Sequence, residues 1–473
     1  MAIINARSPY FISVTDTDLA TATLDIEIYT GDKTTGYTGT PTYSLSKQII
    51  LTTTQISFEI AELIRDYLDA SFDGDYDTTA ESSSKWVRTI LTAKDGNGVQ
   101  LSQTISTDLA FDSYLYFQEP NTFSLFYRAL LMSQRDINTP PLADYRIPIY
   151  TEKNPTLLFL DSAGATQRTV SYTTSTQSNA QIESVELFPE LCVNGNFTTD
   201  SGWTKESADW KINNGASFLN SSDLAIDRLF QSSAGLTAGV NITSEFTVTN
   251  FSGTGTARMR YPFLIPITRN GFYRASGVGE FVASERIQFE AQADDLTTPL
   301  TFSIDNVSVK KTVDVSSIRI TDDDSITLLQ LNEQCPDKFE PYKVTFTNRF
   351  GVVQDMYFFK KSVEKMTTKR ENYKANTLTS SNTYSTSSHT NRDFNIVGNE
   401  SISLSSGFVS ESNNEVFKQL MLSERVWITS TNNQVLPINI KTSSINYKTR
   451  LNDKLVEYTI EFDNSYNVLN DIR

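Results

Sequence analysis

ELCVNGNFTTDSGWTKESADWKINNG (190–215) places two of the chain's four tryptophans, Trp203 and Trp210, among turn-forming residues. Two readings compete for such a stretch. It is either the corner of a β-sandwich core or an aromatic platform for a sugar ring. The chain beyond it decides the fold. From Pro189 to Lys311 helical periodicity disappears, and FTVTNFSG (246–253), RIQFEAQA (286–293) and LTFSIDNVSVKK (300–311) read as strands between Gly and Ser turns. Short strands at that spacing predict a jelly roll or another sandwich. Residues 189–312 are therefore expected to form a unit inserted between a region over 1–188 and a domain over 313–473.

Outward from this unit the chain is mainly β. TATLDIEIYTG (21–31) alternates Leu24, Ile26 and Ile28 with acidic residues, the period of a half-buried strand. KWVRTILTAKDGNGVQLSQTIS (85–106) carries a hairpin turn at Asp95-Gly96-Asn97-Gly98. ISFEIAELIRDYLDASF (56–72) sets Ile60, Leu63, Ile64, Tyr67 and Leu68 on one helical face, which predicts an amphipathic helix. Together with 114–187, broken at TPPLADYRIP (139–148), this region reads as one or two Ig-like sandwiches. In the last domain PYKVTFTNRFGVVQDMYFFKKS (341–362) predicts two strands around Asn348 to Gly351. NRDFNIVGNESISLSSGFVS (391–410) predicts more strand, as do VWITS, LPINIKTSSINYKT and KLVEYTIEFDNS near the end. SNNEVFKQLMLS (412–423) opens with a Ser412–Glu415 capping box and predicts a second amphipathic helix. The fold class expected is mainly β, sandwich units with two amphipathic helices and an inserted jelly roll.

Composition narrows the function. A formal charge of −16 argues against nucleic acid, which needs a basic face. No apolar run approaches the roughly 20 residues that span a bilayer, and MAIINARSPYF lacks the pattern of a signal peptide. A soluble protein made in a cytoplasm is expected. Cys192 and Cys335 lack metal-type spacing and read as reduced, buried thiols. Catalytic signals are poor. His389 is the single histidine and sits in polar TSSHTNR, with no nucleophile elbow or phosphate-binding loop elsewhere. No enzymatic activity and no cofactor are expected. The acidic runs FDGDYDTTAES (72–82) and ITDDDS (320–325) read as solvated turns rather than calcium loops, since Thr78 stands where a calcium loop needs its glycine. KKSVEKMTTKRENYK (360–374) is the one basic stretch. Lys360, Lys361, Lys365, Lys369 and Arg370 are candidates for a contact with acidic neighbours in self-assembly. A sugar site needs an exposed ring beside amides and carboxylates. Trp210, Tyr261, Phe272, Tyr273 and Arg274 are its candidates.

Two resemblances add expectations. LCVNGNFTTDSGWT and TFSIDNVSVKK look like the two boundary strands of carbohydrate-binding-module jelly rolls. The resemblance implies that Trp203 is core and that a structural calcium lies at Asn196 and Asp305. The flanking SPYFISV (8–14), FEIAELIRDYL (58–68), KVTFTNRFGVVQDMYFFKKS (343–362) and NESISLSSGFVSESNNEVFKQLMLSERVWI (399–428) resemble structural proteins of tailed-bacteriophage virions, in the manner of tail-tube-like and distal tail folds. That resemblance implies a ring-like homo-oligomer in the virion tail, assembled in the host cytoplasm. Its other partners would be further tail proteins and host-surface polysaccharide. The alternatives are a purely architectural neck or capsid-associated protein and a glycan-degrading tail enzyme.

Overall fold

In the computed structural model the described residues are 2–49, 53–120, 123–173, 178–179, 181–219, 224–233, 236, 241–279, 286–311, 315–334, 339–429, 434–446 and 455–469. They form thirty-one strands and three short α-helices, a mainly β chain of sandwiched sheets. No helix among them is long and apolar enough to cross a membrane.

The first unit is a five-stranded sheet in the order Ile3–Asn5, Gln100–Phe111, Ser84–Lys94, Thr21–Tyr29, Tyr43–Gln48. Its hairpin turns where expected: the Asp95 carboxylate accepts the amides of Asn97 at 2.9 Å and Val99 at 2.8 Å. The helix expected over 56–72 is mostly something else. Gln55–Glu59 is a strand paired with Phe11–Thr15, and only Ala61–Arg65 is helical. Ile56 and Phe58 alternate with Ser57 and Glu59, so the segment also carries a two-residue period. Pairing with a strand that is already present outweighs a short helix, whose nucleation is costly. Ile60, Ile64 and Leu68 are buried with Leu24, Ile26 and Val87 beneath the sheet, whereas Tyr67 is exposed.

The second unit closes across the insertion. Thr156–Leu160 pairs with Ser317–Thr321, Leu157 opposite Ile320 and Phe159 opposite Ile318. Ile326–Glu333 runs parallel to Asp136–Thr139. One core holds Ile137, Ile147, Leu157 and Phe159 together with Ile318 and Leu329. Residues 317–333 thus belong with 136–187, and a boundary at 313 separates them from the sandwich they complete. ITDDDS is the turn of that sheet, its Asp322 carboxylate accepting the Ser325 amide at 2.7 Å.

Residues 189–312 make two five-stranded sheets of their own, Thr204–Lys205, Asp227–Ser232, Arg286–Ala293, Gly255–Tyr261, Ile265–Ile267 facing Trp210–Ile212, Ala216–Leu219, Thr301–Lys311, Asn241–Ser252, Gly271–Val278. Every buried apolar residue of the core between them falls within 192–309.

The last unit is a seven-stranded sheet in the order Val353–Phe358, Tyr342–Thr347, Val426–Thr429, Val435–Ile440, Leu455–Asn464, Asn391–Ser410, Val363–Lys374. The helix Asn414–Met421 buries Val416, Phe417 and Leu420 against it. The capping box does not form. Asn413 is the N-cap, without a side-chain capping bond, and Ser412 turns to Asp136 instead. Glu415 accepts the Tyr116 hydroxyl at 2.6 Å. Long-range partners outbid a local cap.

Candidate functional site: the cleft beneath the jelly roll

The opening stretch is explained by close backbone approach. Gly195 accepts the Val307 amide at 2.9 Å, and a Cβ on it would lie 1.9 Å from the Val307 carbonyl oxygen. No other residue fits there. Trp203 is buried, its indole N–H donating to the Asn194 carbonyl at 3.1 Å. Glu190 clamps the closing strand, accepting the Val309 amide and the Ser308 hydroxyl, each at 2.6 Å. The first and last segments of the unit are thereby sewn together.

Trp210 belongs to the core as well. It is 2% exposed and packs on Phe218 and Phe302 at ring separations of 5.0 and 5.7 Å, which removes it from any sugar platform. Tyr261 is buried beneath the guanidinium groups of Arg260 and Arg286. Tyr273 stacks on Phe246 at 5.1 Å and donates its hydroxyl to the Arg269 carbonyl, so its ring too is occupied. Strand alternation gives the reason: along Gly271–Val278, Phe272 and Arg274 face solvent and Tyr273 faces inward. Phe272, 64% exposed, and Arg274 are the two of the five that a ligand can reach. On the neighbouring strand Thr247 lies opposite Phe272 and Glu245 opposite Arg274, with a 3.2 Å ion pair between the charges.

The calcium expectation does not fit its donor set. Asn196 accepts the Thr198 amide at 3.5 Å and Asp305 the Asn306 amide at 2.7 Å. The carbonyls of Thr199 and Ser201 nearby already accept from the Asn194 amide nitrogen at 2.7 and 2.9 Å. Among the described residues no three His, Cys, Asp or Glu side chains gather as metal ligands. Asn194→Ala, which removes both of these exposed hydrogen bonds, is expected to cost about 0.5–1.5 kcal/mol. Wild-type melting, followed by calorimetry, should be the same in calcium and in EDTA.

The face bearing Phe272 opens onto a cleft of about 1230 Å³ between the jelly roll and the scaffold. Phe272, Thr247, Glu245 and Asn306 line one wall; Arg146, Lys343, Glu186 and Glu340 line the other. The scaffold cations are already engaged. Lys343 donates to the Asp144 carboxylate at 2.7 Å, and Arg146 pairs with Glu186 and lies 3.7 Å from Asp144. Behind them Asp355 is fully buried, accepting the Tyr76 and Thr345 hydroxyls at 2.8 and 2.7 Å and the Arg146 amide at 3.1 Å. Burial pushes the Asp355 carboxyl up, and Lys343, 4.0 Å away, draws it partly back. This floor is an ionic knot joining the segment of Tyr76, the second sandwich and the last sheet. Its sequence signal is a charge inside an apolar strand, Asp355 in VQDMYF and Lys343 in YKVTFT. Lys310 also lines the cleft, its ammonium donating to the Leu142 carbonyl at 3.4 Å. Beside these cations the cleft offers a ring, amides, hydroxyls and carboxylates, a set suited to polyhydroxylated ligands.

His389 is exposed in its polar stretch. Burial pushes the Cys192 thiol far up, away from a reactive thiolate. Cys335 lies outside the described residues. Lys360, Lys361, Lys365, Lys369 and Arg370 are all exposed, Arg370 pairing with Asp393 at 3.3 Å.

No protein-family model and no curated protein matches this chain. Among solved structures it is similar to the native conformation of E. coli alpha-2-macroglobulin at 6% identity, over 94% of this chain and 38% of that one, with a TM-score of 0.11. The chain thus spans less than half the length of that protein, and a likeness at this score carries no argument about fold or function.

Proposed function

We propose that this chain is a structural, non-catalytic subunit of a tailed-phage tail ring, whose scaffold displays the jelly roll as a weak glycan-binding module. The observation that supports the reading is the closure of the second sandwich across 189–312, so that a unit with its own core is carried on a continuous scaffold. Such an arrangement suits display, because the module can meet a ligand without opening the sheets that hold the assembly. Phe272 offers the stacking surface and Arg274, Glu245 and Asn306 the polar contacts. One such ring contact is modest, and many copies on one particle multiply it.

Glycan-array binding of the full chain tests the module. Phe272→Ala is expected to weaken any hit about tenfold, a loss of about 1.4 kcal/mol, with melting unchanged because the ring is exposed. Wild-type silence across host-surface polysaccharides would leave a purely architectural subunit.

A further inference from the structure

Past Ser401 the strands Val363–Lys374 and Asn391–Ser410 leave the sheet as a two-stranded ribbon, paired from Met366 opposite Glu400 to Lys374 opposite Asn391. The Gly398 carbonyl still accepts the Val468 amide at 2.9 Å, and beyond it the free part, at about 3.3 Å per residue, reaches roughly 20 Å. Every residue of Val363–Lys374 is exposed, and this strand is the outer edge of the sheet. Among the described residues no strand pairs with its outer edge, which offers a row of backbone donors and acceptors. Met366, Tyr373 and Phe394 are also about half-exposed, with Tyr373 and Phe394 in edge contact at 5.6 Å. A ribbon of two strands is at best marginal in water, so both the edge and the apolar residues call for a cover.

Charge identifies that cover. Residues 360–396 hold seven Lys and Arg against three Asp and Glu, in a chain of net charge −16. A strong opposite charge lies in 62–81, which holds seven Asp and Glu against Arg65, with Asp69 paired to Arg425 in the fold. Glu62, Asp66, Asp69, Asp73, Asp75 and Glu81 are exposed there. The Asp69 amide donates to the Ser82 carbonyl at 3.2 Å, drawing the two ends of the segment together. This segment is anchored at the far part of the sheet, where Phe72 meets Trp427 at 5.6 Å and clusters with Val353. Ribbon and acidic face thus sit at opposite ends of the seven-stranded order.

We infer that the ribbon of one copy docks on the acidic 62–81 face of a second copy of this chain. The contact is head-to-tail, since donor and acceptor surfaces differ, and it closes into a ring if the rotation between copies permits. The inference rests on the self-assembly proposed above and names the surface that receives the ribbon.

The test is sedimentation of the full chain over a range of concentration and salt. Wild type is expected to self-associate, more weakly as salt screens the contact. Lys365→Glu/Lys369→Glu/Lys374→Glu should weaken association at least tenfold, and so should Glu62→Lys/Asp66→Lys/Glu81→Lys. An equimolar mixture of the two should assemble again, because each junction then joins opposite charges. A wild type that stays monomeric at all concentrations would overturn the self-assembly reading. Assembly untouched by the 62–81 reversal, or two variants that fail to rescue each other, would overturn this docking surface alone.

Discussion

Trp210→Ala is expected to lower the melting of the 189–312 unit by on the order of 15 °C while the scaffold melts as before. Removing a fully buried tryptophan costs about 3–5 kcal/mol through lost transfer energy and the cavity left behind. For a unit of this size each kcal/mol moves the midpoint by several degrees, roughly 4 °C. The ring fills the space between Phe218 and Phe302, both themselves fully buried, so little can collapse into the gap. Trp210→Phe should cost much less. It keeps most of the volume and removes an indole N–H that is buried without a hydrogen-bond partner. Differential scanning calorimetry of the full chain checks both. One transition should move and the other stay. A uniform shift of the whole profile would mean that the jelly roll and scaffold share one cooperative core, against the separate core within 192–309.

The same residue marks how far the sequence could be read. Trp210–Ile212 and Gly271–Val278 are strands in the structure, and a strand's alternation does not by itself say which of two faces is the core. The sequence leaves Trp210 between a packed strand residue and a sugar platform, and the structure decides for packing: Lys211 points out so that Trp210 can point in. Phe272 and Tyr273 present the reverse problem: adjacent residues on a strand cannot share a face, and only the partner strand settles which is wet. Segments 56–59 and 412–415 carried local helix signals that tertiary pairing overrode, because Val14 and Ile12 receive Ile56 and Phe58, and Tyr116 receives Glu415. Strands inside the jelly roll were more legible: FTVTNFSG, RIQFEAQA and LTFSIDNVSVKK, read as strands between Gly and Ser turns, fall on Asn241–Ser252, Arg286–Ala293 and Thr301–Lys311. The cleft was not legible, since its opposite wall is assembled from Arg146, Glu186 and Lys343, which only the fold brings together.

Asp355→Ala is expected to destabilise the scaffold by about 3–5 kcal/mol, the cost of leaving a buried charge network without one member. The carboxylate accepts from Tyr76, Thr345 and the Arg146 amide and faces Lys343, so its loss strands three donors and one ammonium at once. Asp355→Asn should cost less, about 1–3 kcal/mol, because its carbonyl still accepts and Lys343 keeps Asp144. The two variants separate a charge effect from a packing effect, and pH separates them further. Burial raises the Asp355 carboxyl in the folded protein, the pull of Lys343 included. A carboxyl raised on folding contributes stability below its unfolded value, and that contribution is lost as pH climbs through the folded one. The asparagine variant lacks this dependence. Its deficit against wild type, measured by urea unfolding, should therefore be largest in acid and shrink as pH rises past the ordinary carboxylate range. A deficit that grows with rising pH would mean that attraction to Lys343 outweighs burial, and that the knot draws net stability from its charges. If burial prevails, the ions at the base of the cleft position the three units against one another at a cost in stability, and the wall facing Phe272 is held rigid by them.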